Sequence, residues 1–381
     1  MITEKIPSVD YSKAVSNAGN LHRIKNVMKR AAAGESITVG FLGGSITQGC
    51  AATHPDKCYA HKVYEWFCES FPKADIKYLN AGIGATDSQF GCARADSDLL
   101  VYDPDICFVE FSVNDEATDH YHETYEGLVR KILSSDPSRA LMLIHNVRYD
   151  DGGNSQLQHS RVARRYDVPA VSMRDVIYPE LEGGRLDNRV ITADDLHPND
   201  IGHSLVASVI ISVLDDIRKH MDEGDQPVKE MPVPETANAY EDSVRYRNDS
   251  ASGIMTDAKG FDKDSLPQDI IGDVFRKGWT ATEKGSYITF KVYGSCIGVQ
   301  YRKTIQKPAP AATLILDGNT DTPVILDADF KETWGDKLVL ETVLDHGENR
   351  EHTVRIELTD THPRDVLPFY LVSVIASGRD V

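Results

Sequence analysis

Two runs of apolar residues, 106–111 and 141–144, constrain the fold of this chain more than any other feature. Neither run alternates between apolar and polar side chains, as a strand with one face in water would. They are typical of strands that are covered on both faces, as in a parallel sheet between two layers of helices. Helical and strand patterns alternate from residue 21 to residue 221. This part of the chain is therefore predicted to be a three-layer, doubly wound α/β domain.

The composition changes after residue 221. Residues 222–239 hold several prolines and acidic residues but almost no large apolar ones, which predicts a linker. Short strands with alternating apolar residues follow, separated by Gly, Asp, Asn and Pro, which favours an antiparallel jelly-roll sandwich. We therefore expect a catalytic domain at 1–221, a linker at 222–239 and an all-β domain at 240–381.

The net charge, the cysteines and the histidines indicate which partners and cofactors to expect. A net charge of −18 repels nucleic acid and anionic membranes, so we expect neither as a partner and favour a neutral substrate. No leader-like segment and no membrane-spanning run is evident, which predicts a cytoplasmic protein. The six cysteines show no C-x-x-C spacing, so free thiols are expected. The histidines also lack metal-ligand spacing, and we expect no metal and no other cofactor.

A strand that ends in Gly-Gly-Ser presents the first candidate for a reactive group. Residues 37–42 are typical of a buried strand, Gly43 and Gly44 follow it, and Ser45 precedes polar turn residues. Ligands of α/β sheets bind at the carboxyl ends of strands, where glycines let the backbone approach a substrate closely. Ser45 is therefore a candidate nucleophile, although a Gly-Gly-Ser before a turn is by itself commonly only a turn.

A serine hydroxyl needs a base to take its proton and donors to hold the developing oxyanion. Gly82 and Gly84 follow the second strand and can offer backbone N–H groups, and Asn114 follows the third strand with a side-chain amide. Other interpretations exist for each. The glycine loop holds part of a phosphate-binding pattern, and an asparagine after a strand is ordinarily a turn former.

Asp194 and His197 lie just before the last long helix of the first domain. A carboxylate three residues before a histidine can turn back and accept a hydrogen bond from one ring nitrogen, leaving the other to receive the proton of Ser45. The same spacing, read alone, is equally typical of a helix cap or of a fragment of a metal site.

Together, these four segments resemble the SGNH, or GDSL-like, hydrolase superfamily over about residues 35–220. The resemblance rests on the joint order and placement of the segments, since any one of them would be weak evidence. It implies a flavodoxin-like sheet and a serine esterase whose catalytic residues are Ser45, Asp194 and His197.

The resemblance also implies an oxyanion hole formed by the N–H groups of Ser45 and Gly84 and by the Asn114 amide. The second segment departs from the common Gly-x-Ser-Gly step of the superfamily, because here it reads Gly82-Ile83-Gly84 and is a residue shorter. Which of the two glycines donates is therefore left open, with Gly84 preferred.

An SGNH domain followed by a jelly roll resembles the two-domain mannan O-acetylesterases of carbohydrate esterase family 17. This implies removal of O-acetyl groups from acetylated oligosaccharides, in particular β-manno-oligosaccharides. Aromatic side chains stack on sugar faces, which makes Trp334 and Trp279 candidate substrate-binding residues, although either can equally fill a core. The alternatives are an acetyl xylan esterase, a lipase- or thioesterase-type acyl hydrolase, and a non-catalytic carbohydrate-binding protein.

Overall fold

The structure is a computed structural model that describes residues 6–378. Its chain divides into two compact units, the first ending at Asn238 and the second beginning at Ala239. No described helix has both the length and the apolar character needed to cross a membrane.

The first unit is built on a six-stranded sheet in the order β1-β6-β5-β4-β2-β3. Its strands are β1 Val15–Asn17, β2 Ser36–Gly43, β3 Asp75–Gly82, β4 Ile106–Glu110, β5 Ala140–His145 and β6 Ala170–Ser172. Strands β2 to β6 are parallel, whereas β1 pairs antiparallel with β6. The parallel strands have the flavodoxin-like order, in which the chain direction across the sheet switches between β2 and β4. All residues of β4 and β5 are buried, as their apolar runs predict.

Helices cover both faces of this sheet. They are α1 His22–Ala32, α2 Ser45–Gln48, α3 Tyr59–Ser70, α4 Ser88–Asp98, α5 Asp119–Ser135, α6 Gln156–Arg165, α7 Met173–Glu182, α8 Asn188–Ile191 and α9 Asp200–Lys219. Helices α1, α3 and α7 pack with α9, whereas α5 packs with α4 and α6. The three-layer, doubly wound fold predicted from the sequence is confirmed.

The register of the sheet brings three strand ends to one level. Gly43 at the end of β2 pairs with Gly82 at the end of β3 and with Glu110 at the end of β4. The segments that follow these strands therefore leave the sheet side by side at its carboxyl edge, where parallel α/β sheets bind their ligands.

The second unit consists of two antiparallel sheets that share one apolar core. The sheets have the orders β15-β12-β17-β10-β9, with β7 also pairing with β17, and β14-β13-β16-β11-β8. The strands are β7 Val244–Tyr246, β8 Met255–Lys259, β9 Asp262–Lys263, β10 Trp279–Ala281, β11 Tyr287–Gly294, β12 Cys296–Lys303, β13 Ala311–Leu316, β14 Val324–Asp327, β15 Lys337–Leu344, β16 Arg350–Asp360 and β17 Phe369–Ser377. The all-β, antiparallel character is confirmed, while the jelly-roll connection stays a prediction.

Residues 222–238 contain no helix or strand and are held along the first unit by hydrogen bonds. The Glu126 carboxylate on α5 accepts from the backbone N–H groups of Glu235 and Thr236 at 2.7 and 2.8 Å. Arg130 donates to the carbonyl of Pro232 at 2.8 Å. The carboxyl-terminal part of this segment is thus held against α5 by hydrogen bonds to its backbone.

Candidate active site

Ser45 opens the short helix α2, immediately after β2 and Gly44. A side chain at Gly43 would overlap Thr47 and the carbonyl of Glu110, and one at Gly44 would overlap the Asn114 carboxamide. Both glycines are therefore required by the close approach of β2, α2 and the segment after β4. The result is a sharp strand-to-helix turn that leaves Ser45 at the carboxyl edge of the sheet, with 8% of its surface exposed.

His197 contacts both Ser45 and Asp194. Its Nε2 atom lies 2.9 Å from the Ser45 hydroxyl, and its Nδ1 atom lies 2.6 Å from the Asp194 carboxylate. Since a carboxylate can only accept, Nδ1 donates to Asp194 and Nε2 of the neutral ring accepts from the hydroxyl. Helix α9 begins directly afterwards, where Asn199 caps the N–H groups of Ile201 and Gly202 and so fixes the chain position of His197.

Asp194 is itself held in place by backbone hydrogen bonds. Its other oxygen accepts from the N–H groups of Leu196 and His197 at 3.1 and 2.8 Å. Partial burial alone would raise the pKa of Asp194, but the hydrogen bonds from His197 and Leu196 outweigh it and lower this pKa to about 2. The carboxylate therefore stays ionised and keeps the imidazole in one orientation.

The environment of His197 favours the protonated ring. The side chain of Cys50 beside the imidazole and the Asp194 carboxylate outweigh partial burial and raise the pKa of His197 to about 9. Cys50 is exposed, and its backbone N–H donates to the Ser45 carbonyl at 2.9 Å. Cys50 was not predicted as a site residue, because its proximity to His197 arises only from the fold.

The glycine loop after β3 lies beside Ser45. The N–H of Gly82 donates to the Asn80 side chain at 2.8 Å, and the same side chain donates to the carbonyl of Thr47 at 2.7 Å. Gly84 is closer to the serine, since a Cβ built on it would lie 3.6 Å from Ser45 Cβ. Its N–H donates to the side-chain oxygen of Gln48 at 2.8 Å. Of the two candidate glycines, Gly84 thus lies next to the serine and has an N–H that is not used within its own loop.

Asn114, in the segment that follows β4, also lies beside the turn that carries Ser45. Its carboxamide packs against Gly44, the residue before Ser45, and its amide nitrogen donates to no group among residues 6–378. Its backbone N–H donates to the Phe111 carbonyl at 3.0 Å, which closes the turn after the strand. The structure therefore brings together all of the predicted residues of the first domain.

Two buried ionisable groups, Arg94 and Asp115, hold these segments in place from inside the domain. The Arg94 guanidinium is fully buried and donates to the carbonyls of Ala81 and Gly43 at 2.6 and 3.0 Å. The buried Asp115 carboxylate accepts from the Ser88 N–H at 2.9 Å and contacts His159 Nε2 at 2.9 Å. Burial raises the pKa of Asp115 to about 7. Polar anchors of this kind leave no periodic signal in the sequence.

The two candidate tryptophans of the second unit lie in different environments. Trp279 is 1% exposed and packs edge-on against Phe290 in the core between the sheets. The expectation that Trp279 binds substrate is therefore wrong, because neither face of its indole can reach a sugar. Trp334 is 57% exposed, and its indole N–H donates to Glu332 at 2.7 Å.

One group in the second unit has metal-like spacing. The ligating atoms of Cys296, Asp345 and His346 lie within 4.8 Å of one another. The same Asp345 oxygen is 2.7 Å from both the Tyr240 hydroxyl and His346 Nδ1, so hydrogen bonds account for the cluster. All six cysteines, Cys296 included, are free, and burial raises the pKa of the Cys296 thiol.

A hydroxyl, an imidazole and a carboxylate in hydrogen-bonded series, at the carboxyl edge of a doubly wound sheet, form the arrangement of a serine acylhydrolase. The model of the GDSL-like lipase/acylhydrolase family matches residues 41–205. A crystal structure of a two-domain esterase (CEX) active on acetylated mannans is similar over 98% of this chain and 100% of that chain, with 52% identity and a TM-score of 0.95.

A second structure of such an esterase, co-crystallised with mannopentaose, has 51% identity and a TM-score of 0.94, again over 98% of this chain and 100% of the other. No curated protein sequence matches the chain. The chain belongs to the GDSL-like lipase/acylhydrolase family. Its activity is accordingly that of a carboxylic ester hydrolase.

Proposed function

We propose that this protein removes O-acetyl groups from acetylated oligosaccharides, in particular β-manno-oligosaccharides. The observation that carries this proposal is the similarity, across both units and at 52% identity, to an esterase active on acetylated mannans. The co-crystallised mannopentaose of the related structure supports an oligosaccharide rather than a lipid as the ligand.

In the proposed first step, the Ser45 hydroxyl attacks the acetyl carbonyl and His197 Nε2 takes its proton. The distance of 2.9 Å between these two atoms supports direct transfer. Asp194 stays ionised, keeps the ring nitrogen Nε2 directed at the serine and stabilises the imidazolium that forms. The tetrahedral intermediate then carries its negative charge on the former carbonyl oxygen.

The proposed oxyanion hole consists of the N–H groups of Ser45 and Gly84 and the Asn114 amide. The position of Gly84 next to Ser45 and the unused amide nitrogen of Asn114 support this assignment. Donors that are already oriented stabilise the developing charge without reorganisation during the reaction.

The intermediate collapses when His197 returns its proton to the departing sugar hydroxyl, which leaves an acetyl group on Ser45. Water then attacks this acetyl-enzyme while His197 takes a proton from it, and His197 returns that proton to the Ser45 oxygen as the bond to the acetyl group breaks and acetate leaves. Each proton that the imidazole takes is thus given back within the same half-reaction.

In the second unit, Trp334 is the candidate for contact with the sugar chain. Its exposed indole offers a flat apolar surface, and such surfaces stack on the faces of sugar rings. The cytoplasmic location stays a prediction.

Acetylated manno- and xylo-oligosaccharides assayed side by side, with esters of long-chain fatty acids as a third substrate, test the proposed function. We expect the highest kcat/KM on acetylated manno-oligosaccharides and none of this activity in Ser45→Ala. Activity confined to long-chain esters would contradict the proposal in favour of a lipase. Binding of the oligosaccharide without release of acetate would indicate a binding protein.

A further inference from the structure

The side chain of Gln48 accepts a hydrogen bond from the Gly84 N–H, which the proposed reaction needs as a donor to the oxyanion. Gln48 ends helix α2, three residues after Ser45, and its amide oxygen accepts from the Gly84 N–H at 2.8 Å. A Cβ built on Gly84 would lie 2.8 Å from this oxygen and 3.6 Å from Ser45 Cβ. A carbonyl-type oxygen of the protein thus accepts from the N–H that would stabilise the oxygen of the acetyl group.

Gln48 and a substrate oxygen compete for this N–H. A backbone N–H makes one well-aligned hydrogen bond at such a distance, so an acetyl oxygen can receive it only after the glutamine oxygen has left. The Gln48 side chain is exposed, and its amide nitrogen donates to no other group among the described residues. Its departure therefore requires only a change of side-chain rotamer.

The glycine loop does not depend on Gln48 for its position. The N–H of Ile83 donates to the Gly43 carbonyl at 3.0 Å, and Gly82 is held by Asn80. The Thr86 hydroxyl closes the loop by donating to the Ile83 carbonyl at 2.7 Å. Because these bonds fix the loop on both sides of Gly84, the bond to Gln48 adds little to its shape.

We propose that Gln48 is a gate of the oxyanion hole, whose side chain covers the Gly84 N–H in the free enzyme and leaves when the acetyl carbonyl enters. This inference rests on the proposed function. A closed gate reduces the population of the binding-competent enzyme and so weakens apparent substrate affinity by the same factor. For one neutral hydrogen bond at an exposed site, this factor is on the order of 2 to 10.

The test compares the wild type with Gln48→Ala and Gln48→Asn on 4-nitrophenyl acetate. Asparagine keeps the amide but is one methylene shorter, so it cannot span the distance to Gly84. We expect both variants to raise kcat/KM by about 2- to 10-fold, through a lower KM, and to lose no more thermal stability than this one exposed hydrogen bond supplies. An unchanged or lower kcat/KM would overturn the gate, and a lower value would indicate that Gln48 braces the loop.

Ser45→Ala distinguishes a failure of the proposed function from a failure of the proposed gate. If Ser45→Ala hydrolyses the ester as fast as the wild type, the proposed function itself is wrong. If Ser45→Ala is inactive and the Gln48 variants show no gain in kcat/KM, only the gate is refuted.

Discussion

Arg94 offers a sharp test of how the active site is supported. Its fully buried guanidinium joins the carbonyls of Gly43, the last residue of β2, and Ala81, the penultimate residue of β3, and lies 3.5 Å from the Asp98 carboxylate. Arg94→Met would remove a charged donor from both carbonyls, of which Gly43 keeps the bond from the Ile83 N–H, and would leave Asp98 without its counter-ion. Each lost hydrogen bond to a charged group costs about 1.5–3 kcal/mol, and a broken buried ion pair about 3–5 kcal/mol. Because these effects overlap, we expect a loss of about 3–5 kcal/mol in the free energy of unfolding.

Activity should fall as well, since the segments that carry Ser45 and Gly84 leave the sheet at these two carbonyls. A displacement of about 1 Å in a catalytic group can cost on the order of 100-fold in rate, and we expect a loss of kcat of that order in Arg94→Met. The assays are unfolding in urea and hydrolysis of 4-nitrophenyl acetate at a temperature where the variant is fully folded.

Arg139 provides a matched control at the opposite edge of the same sheet. It is 3% exposed, donates to the Pro104 carbonyl at 2.7 Å and pairs with Asp103 at 2.7 Å. Arg139→Met should lower stability while kcat is unchanged, because neither partner leads into the active site. If Arg94→Met lost stability but kept the kcat of the wild type, Arg94 would be only a structural residue and our reasoning would be refuted.

Four further predictions concern individual side chains. Asn114→Ala should lower kcat by about 100- to 1,000-fold without abolishing turnover, and a loss below about tenfold would exclude it as an oxyanion donor. Only neutral His197 accepts a proton, so kcat/KM should fall as the pH drops through its raised pKa of about 9. Cys50→Ala should move this limb of the pH profile to lower pH, and an unmoved limb would show that Cys50 has no such influence. Trp334→Ala should raise KM for acetylated manno-oligosaccharides but not for 4-nitrophenyl acetate, and equal effects on both would argue against sugar stacking.

The fold could be predicted from the sequence where burial leaves a periodic pattern. The apolar runs of β4 and β5 are fully buried strands, and the alternating residues of β16 lie alternately inside and outside the second unit. The periodic pattern of apolar residues did not predict β1, a strand of three residues at the sheet edge, or α7, a helix that contains Pro179. Short edge strands and proline-containing helices carry too few periodic positions to be recognised.

The position of the candidate site followed from the strand ends, because parallel strands bring their carboxyl ends to one edge. The contacts that Gln48 and Arg94 make within the site could not be predicted, since they join residues far apart in the chain. Gln48 bonds to Gly84, and Arg94 bonds to Gly43, only once β2, β3 and α4 are packed together. Trp279 and Trp334 could not be told apart by composition either, because one is in a core strand and the other in an exposed loop.

In the proposed reaction, the Ser45 oxygen carries the acetyl group from the sugar to water. Mass spectrometry of acetylated manno-oligosaccharides, incubated with the wild type and with Ser45→Ala, tests it most directly. We expect the wild type to release acetyl groups from the oligosaccharide and Ser45→Ala to leave every acetyl group in place. Release of acetate by Ser45→Ala at the rate of the wild type would contradict it.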